Sequence, residues 1–181
     1  MLEQSIMAGF GGQGIISMGQ LFAYAGNEDG EFVTFFPFYG AEKRGGIARA
    51  SVIVSSDRID SPLVTKPDSI VIMNESSLAE WIDTVKPGGK VLLNSSLVRS
   101  EIKRDDVKVY KIPVNEMAVE LGNVKVANSV MLGAYAVITG AIRIDAIAKS
   151  LKSFFGETKA KLVPINIEAL KKGEEYAVEH Y

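Results

Sequence analysis

Strand-length apolar runs that alternate with helical patterns are the feature that most limits how this chain can fold. Residues 68–74, DSIVIMN, form a continuous apolar run with a polar end, as is typical of parallel strands buried on both faces. Apolar residues recur at helical spacing in residues 15–25, 127–139 and 144–155. We therefore predict one α/β domain over residues 1–181, with a largely parallel, mixed, Rossmann-like sheet, helices on both faces and additional C-terminal helices.

The remaining predicted elements follow from the same periodicities and from turn residues between them. The second strand is predicted to end at Pro37, because proline is rare inside strands. The other predicted strands are residues 5–8, 32–36, 47–56, 87–94 and 108–114, and the other predicted helices are residues 76–86, 115–121 and 165–179.

Charge and hydropathy exclude several classes of partner. The formal net charge is −2, with basic and acidic residues interspersed, so there is no cationic field for nucleic acid. The segment MLEQSIMAGF has Glu3 where a signal peptide would carry positive charge. No apolar stretch approaches the roughly 20 residues of a membrane-spanning helix. We expect a cytoplasmic protein that binds neither nucleic acid nor membrane.

The residue types that usually carry catalysis or metals are scarce. The chain has no cysteine, so it has no thiolate nucleophile and no ligands for an ordinary iron-sulfur cluster. Its one histidine, His180, is next to last, where chain ends usually fray. We expect no metal site, and the sequence identifies no catalytic acid, base or nucleophile.

A glycine-rich turn between the first strand and the first helix is the first candidate site. Gly9, Gly11 and Gly14 satisfy G-x-G-x-x-G, and backbone N–H groups at such a helix start can face an anion. Gln13 adds a donor and an acceptor at the same place. Alternatively, the glycines only allow the helix to pack closely on the strand.

A dinucleotide site at this turn lacks one expected residue. Such a site needs an acid at the far end of the second strand to bind the ribose hydroxyls. Asp29 and Glu31 precede that strand, and its far end is Phe35, Phe36 and Pro37. This argues against NAD or FAD.

The second candidate site is the segment YGAEKRGG, residues 39–46. The doubly wound rule places it at the carboxyl end of the second strand, beside the glycine turn. Arg44 offers a planar fork for phosphate or carboxylate, and Glu42 could hold that fork. An ordinary surface loop with an ion pair is the alternative. Among the neighbouring aromatic residues, Phe35 and Phe36 are assigned to the core, and Phe38 and Tyr39 to a candidate contact surface.

Four segments in order carry a family resemblance: GFGGQG at 9–14, YGAEKRGG at 39–46, SSDRIDSP at 55–62 and KPDSIVIMN at 66–74. They resemble the gamma subunit, or gamma domain, of 2-oxoacid:ferredoxin oxidoreductases, which include pyruvate, 2-oxoglutarate and branched-chain or indolepyruvate enzymes. The resemblance extends through VKVANSVMLGA at 124–134. It implies that residues 1–181 are a gamma-type catalytic domain.

The resemblance also implies the reaction and the partners. Such enzymes convert a 2-oxoacid and coenzyme A to an acyl-CoA and carbon dioxide, and they reduce ferredoxin. Thiamine diphosphate and the iron-sulfur clusters are expected on alpha and beta subunits, with a delta subunit left open, so this chain contacts ferredoxin only indirectly. A homodimer of the isolated chain is also left open.

The predicted contact residues face either coenzyme A phosphates or a partner subunit. They are Gly9, Gly11, Gly12, Gln13, Gly14, Tyr39, Glu42, Arg44, Gly45 and Gly46. Two other functions remain as alternatives: a self-sufficient nucleotide-binding oxidoreductase that uses NAD or FAD, and a purely structural subunit whose glycine loops permit close packing between chains.

Overall fold

A computed structural model describes residues 1–40 and 46–181. The strands are β1 (Leu2–Phe10), β2 (Phe32–Tyr39), β3 (Ile47–Ser55), β4 (Ser69–Ile72), β5 (Lys90–Asn94) and β6 (Lys108–Ile112). The helices are α1 (Ile15–Glu28), α2 (Glu75–Trp81), α3 (Val114–Glu120), α4 (Ala127–Thr139), α5 (Ile144–Phe155) and α6 (Val163–His180). Short 3₁₀ segments follow α2, precede α4 and precede α6.

The six strands form one mixed sheet in the order β2-β3-β1-β4-β5-β6. The neighbours β1, β4, β5 and β6 pair in parallel, whereas β3 is antiparallel to both β1 and β2. The prediction of a largely parallel, mixed sheet is therefore confirmed. The departure from a regular doubly wound order is the β2–β3 hairpin, which replaces a second strand-helix-strand crossover.

Helices cover the two faces of the sheet unequally. On one face, apolar residues of the strands pack with α1, α4, α5 and α6 in the main core. On the other face, Leu78 of α2 and Val85 and Val98 pack against residues of β1, β4 and β5 in a smaller cluster. Both clusters belong to one sheet, so the chain forms the single α/β domain with helices on both faces that its periodicity predicts.

Helices α4 and α6 cross at two glycines. A Cβ atom built on Gly133 would overlap the backbone carbonyl of Leu170, and one built on Gly173 would overlap that of Val130. The two backbones are therefore in direct contact, which only glycine allows at these positions. This contact fixes α6 against the centre of the main core.

Strand β2 differs most from its prediction. It continues through Pro37 to Tyr39, because β2 is the edge strand and has a neighbour on one side only. Phe35 packs against the main core as predicted. The assignment of Phe36 to the core is wrong: it lies on the opposite face of the strand and is 43% exposed, since successive side chains of a strand point to opposite faces.

Several helix boundaries also differ from prediction. Helix α2 ends at Trp81 and continues as a 3₁₀ turn, and its cap is Asn74, whose Oδ1 accepts a hydrogen bond from the Ser77 N–H at 3.0 Å. Helix α6 begins at Val163, with Pro164 in its first turn, where a missing N–H costs nothing.

Within the described residues, no helix is long and apolar enough to cross a membrane.

Candidate functional site

The glycine-rich turn lies where β1 ends and α1 begins. Gly9 is the next-to-last residue of β1 and pairs with Ala48 of β3. Gly12 and Gly14 have positive φ angles of 98° and 74°, and Gly14 is the N-cap of α1. The predicted order of strand, tight turn and helix is therefore present.

Gly14 is required both by its conformation and by its neighbour. Its backbone is left-handed, which side-chain-bearing residues rarely adopt. A Cβ atom there would come within 2.5 Å of Asn128 Nδ2. In the present structure Asn128 Nδ2 instead donates a hydrogen bond to the Gly14 carbonyl at 3.3 Å, so the start of α4 supports the turn.

The start of α1 has free backbone donors. Gly14 has no side chain to cap the helix, and the first intrahelical bond of the turn runs from Met18 N–H to the Gly14 carbonyl. The N–H groups of Ile15, Ile16 and Ser17 therefore have no partner within the helix, as in every helical first turn. These three residues, Gly11, Gly12 and Tyr39 line a cavity of about 260 Å³, which can receive a small anion.

The described ends of the second candidate segment meet this turn. Gly11 N–H donates to the Gly46 carbonyl at 2.8 Å, and Gly40 N–H donates to the Ile47 carbonyl at 2.7 Å to close the β2–β3 hairpin. Tyr39 ends β2 and is 64% exposed. Glu42, Arg44 and Gly45, which were also predicted, lie outside the described residues.

Gln13 is held by three hydrogen bonds within the chain. Its Oε1 accepts from Phe10 N–H at 2.7 Å and from Asn74 Nδ2 at 3.2 Å, and its Nε2 donates to the Met73 carbonyl at 3.0 Å. The side chain therefore joins the glycine turn to the end of β4. Contact of Gln13 with a ligand stays a prediction.

The sequence reasoning missed an amide network along the same edge of the sheet. Asn94 Nδ2 donates to the Met73 carbonyl at 3.3 Å and to Asn115 Oδ1 at 2.8 Å. With Asn74, these side chains connect the carboxyl ends of β4, β5 and β6. A signal was available, because asparagine closes each of the segments IVIMN, VLLN and IPVN.

A second, smaller cavity lies on the other side of the turn. It has a volume of about 140 Å³, and its lining includes Gly12, Gln13, Asn115 and Lys125. Lys125 is exposed and adds a cation beside the amide groups. The described part of this edge therefore offers backbone N–H groups, amides and the Lys125 ammonium, which together can bind an anion.

Asp29 and Glu75, two described acidic residues at the end of α1 and the start of α2, have partners of their own. Asp29, at the end of α1, forms an ion pair of 3.2 Å with Arg143, so it does not supply the ribose-binding acid of a dinucleotide site. Hydrogen bonds from Ser100 and from the Arg99 N–H lower the pKa of the exposed Glu75. Among the described residues, no group of three or more histidine, aspartate or glutamate side chains could hold a metal.

Comparison with known proteins gives one consistent family. A family model described as pyruvate ferredoxin/flavodoxin oxidoreductase matches residues 4–176. Ketoisovalerate oxidoreductase subunit VorA of Methanothermobacter thermautotrophicus is 35% identical over 176 residues, which cover 96% of this chain and 36% of that protein. 2-Oxoglutarate synthase subunit KorC of Methanocaldococcus jannaschii is 36% identical over 183 residues, which cover 99% of this chain and 96% of that protein.

The chain thus spans about a third of VorA but almost all of KorC. The similar solved structures likewise include one chain that this protein covers almost completely and one that it covers only in part. The gamma subunit of a keto/oxoacid ferredoxin oxidoreductase from Geobacter sulfurreducens superposes with a TM-score of 0.83 at 27% identity, covering 98% of this chain and 99% of that one. A 2-oxoglutarate:ferredoxin oxidoreductase from Magnetococcus marinus, with 2-oxoglutarate, coenzyme A and succinyl-CoA bound, gives 0.90 at 28% identity, covering 99% of this chain and 32% of that one.

Proposed function

Because this chain belongs to the pyruvate ferredoxin/flavodoxin oxidoreductase family, we propose that it is the gamma-type subunit of a thiamine-dependent 2-oxoacid:ferredoxin oxidoreductase. The complete enzyme converts a 2-oxoacid and coenzyme A to an acyl-CoA and carbon dioxide, and it passes the electrons to ferredoxin. Relatives named for pyruvate, 2-oxoglutarate and ketoisovalerate all match at similar identity, so the proposal covers the substrate class, a 2-oxoacid.

The chain acts as a non-catalytic subunit in this proposal. Alpha and beta subunits, with or without a delta subunit, carry thiamine diphosphate and the iron-sulfur clusters, and ferredoxin meets those subunits. The absence of cysteine from the whole sequence supports this division of labour, since such clusters are held mainly by cysteine sulfur. The complex is expected in the cytoplasm.

The chain's own contribution is the rim formed by residues 9–14 and 39–46, which we call the glycine rim. The hydrogen bond from Gly11 N–H to the Gly46 carbonyl carries this proposal, because it joins the two predicted segments at one edge of the sheet. The N–H groups at the start of α1 open into a cavity of about 260 Å³, which suits one phosphate group better than a whole carrier. The rest of coenzyme A then lies across a partner subunit.

Co-purification from the source cell tests the assignment to a complex. An affinity tag on this chain should retain a thiamine-binding subunit and cluster-containing subunits at fixed stoichiometry. A chain that elutes alone as a stable monomer, while the oxidoreductase activity elutes elsewhere, would contradict the proposal.

Steady-state kinetics of the assembled enzyme test the coenzyme A contact. Arg44→Ala is expected to raise the KM for coenzyme A about tenfold, because it removes a phosphate-binding cation, and to leave the KM for the 2-oxoacid unchanged. Lys108→Ala is the matched control, since Lys108 is an exposed cation in the first residue of β6, at the opposite edge of the sheet. An unchanged KM in a fully assembled Arg44→Ala enzyme would remove the contact.

Calorimetry with the isolated chain separates the two alternatives. Micromolar binding of NAD, NADP or FAD would favour a self-sufficient nucleotide-binding oxidoreductase. If the titrations show no binding heat, and if replacing the glycines of the glycine rim by bulky residues blocks assembly, the results would favour a purely structural subunit.

A further inference from the structure

The half of the sheet formed by β1, β2 and β3 exposes apolar side chains on the face opposite the main core. Residues that pair across neighbouring strands have their side chains on the same face of the sheet. Phe32, Ser55 and Leu2 form one such row on this face, and Phe38, Arg49 and Ala8 form another. Helix α2 covers the β4 and β5 half of this face. The other half, which we call the aromatic face, keeps Ile6, Ser51 and Ile53 buried at its centre, and it exposes Leu2, Phe10, Phe32, Phe36, Phe38 and Ile47 along β2 and at the ends of β1 and β3.

The exposed apolar area of the aromatic face is comparable to that of the centre of a protein–protein interface. Phe36 and Phe38 are 43% and 46% exposed, and the Arg49 side chain lies against the Phe38 ring. Given typical aromatic side-chain areas, the six residues offer on the order of 500 Å² of apolar surface. Monomers seldom expose a larger patch, and a stable complex buries roughly 800 Å² on each partner.

The aromatic face carries one cation, Arg49, beside its aromatic rings. The Arg49 guanidinium carbon lies 5.2 Å from the Phe38 ring centroid and 4.7 Å from that of Trp81. Among the described residues, Arg49 Nε, Trp81 Nε1 and Thr34 Oγ1 are buried and have no hydrogen-bond partner. Arg49 is also the only charged residue that β1, β2 and β3 place on this face, so a partner that meets it should carry a carboxylate.

A second copy of this chain would satisfy these groups poorly. A two-fold interface brings the same patch of both copies together, so it would bury two Arg49 cations and no carboxylate from the strands of this face. The relatives point instead to a different polypeptide. The equivalent segment is about a third of the VorA and Magnetococcus marinus chains and nearly the whole of KorC, so any contact that this domain makes with the rest of the longer chains would have to be made between separate chains in the KorC arrangement.

We propose that the aromatic face docks a sister subunit of the oxidoreductase, which presents an apolar surface with a carboxylate opposite Arg49. The proposal rests on the proposed function, because it requires that sister subunits exist. It adds a location and a chemistry for the contact. It also places the contact on the sheet face, apart from the anion-binding cavity of the glycine rim.

Assembly of the co-expressed complex tests the proposal. Phe36→Asp is expected to weaken binding of the sister subunits by about tenfold or more, since it replaces an apolar anchor by a charged side chain that competes for Arg49. Val178→Asp is the matched control, because Val178 is 69% exposed on α6, and assembly should be unchanged. Circular dichroism of both isolated variants verifies that each is folded, since both substitutions are at exposed positions.

A photo-crosslinking residue at position 38 identifies the occupant without relying on affinity. Crosslinks to a sister subunit are expected in the assembled complex, and the same residue at position 178 should give none. Crosslinks to a second copy of this chain, or a Phe36→Asp complex that assembles normally, would overturn the proposal while leaving the proposed function intact. Failure of the unmodified chain to retain any thiamine-binding subunit would instead overturn the proposed function, and this proposal with it.

Discussion

At the residue scale, Gln13 shows how one side chain fixes a loop that could otherwise move. Its amide accepts from Phe10 N–H and Asn74 Nδ2 and donates to the Met73 carbonyl. Loop residues need such anchors, because a turn of glycines has few side chains to pack. Gln13 therefore positions the N–H groups of the glycine rim, whatever they bind.

Replacing Gln13 tests this anchoring role. Gln13→Glu keeps the size and the acceptor of the side chain but removes the donor to Met73, so two oxygens would face each other. We expect the free energy of unfolding to fall by about 1–3 kcal/mol, measured by urea denaturation. Gln20→Glu on α1 is the control, since no hydrogen bond of the Gln20 side chain is present among the described residues. Equal stability of the two variants would contradict the anchoring role.

At the element scale, the crossing of α4 and α6 brings the backbones of two helices into direct contact. Gly133 and Gly173 face the carbonyls of Leu170 and Val130, and Ser129 Oγ donates to Asn166 Oδ1 at 2.6 Å near the same crossing. Close backbone approach increases the packing contact between two helices. The last helix is therefore an integral part of the core rather than an appendage.

A single methyl group at this crossing should separate the helices. Gly133→Ala is expected to lower the free energy of unfolding by about 3 kcal/mol, the upper end for overpacking, because the added Cβ meets backbone that cannot rotate away. Gly11→Ala is the control, since its nearest neighbour, the Gly46 carbonyl oxygen, would be 3.7 Å from the new atom. Urea denaturation measures both, and a Gly133→Ala chain as stable as Gly11→Ala would show that the helices can shift cheaply.

At the scale of the whole molecule, the two ends of the sheet differ in chemistry. The carboxyl end carries the glycine rim and the amide network, whereas the amino end holds a buried carboxyl group. Glu3 of β1 is 8% exposed and accepts hydrogen bonds from Ser69 Oγ of β4 at 2.5 Å and from Tyr135 Oη of α4 at 3.2 Å. Burial raises the pKa of Glu3 and, more strongly, that of Tyr135.

This network should make the stability of the whole domain depend on pH. Because the pKa of Glu3 is higher in the folded than in the unfolded chain, its favourable contribution is complete below the unfolded pKa and is lost as the pH rises through the folded pKa. Gln cannot titrate. The free energy of unfolding of Glu3→Gln, minus that of the unmodified chain, should therefore increase as the pH rises from the unfolded pKa of Glu3 through its raised folded pKa.

Denaturation curves at a series of pH values measure this difference. Glu80→Gln is the control, since Glu80 is an exposed residue of α2, and its difference from the unmodified chain should show a smaller change with pH. A Glu3→Gln difference that stays constant over the same range would mean that Glu3 titrates alike in the folded and unfolded chains.

Much of the fold could be predicted because its causes are local. The run at 68–74 indicated a buried strand, and β4 lies there. The helices α4 and α5 begin and end at the predicted residues. Boundaries failed where tertiary context decided them: β2 extends through Pro37 because it is an edge strand, and Phe36 is exposed because no helix covers its side of that edge.

The candidate site divides in the same way. The glycine turn could be found from spacing alone, and its neighbour segment from its unusual composition. Their hydrogen bond from Gly11 to Gly46, and the joining of Asn74, Asn94 and Asn115 into one network with Gln13, could not, because these residues are far apart in the chain.

The sequence by itself determined the alternation of elements, the strand-turn-helix around the glycines and the lack of cluster ligands, since periodicity, backbone sterics and residue chemistry act within a few residues. Only the tertiary structure decided that β3 runs antiparallel, which brings Gly46 to Gly11 and leaves Phe36 and Phe38 of the edge strand exposed. Such pairings depend on the summed free energy of contacts between distant segments, and no local pattern contains that sum.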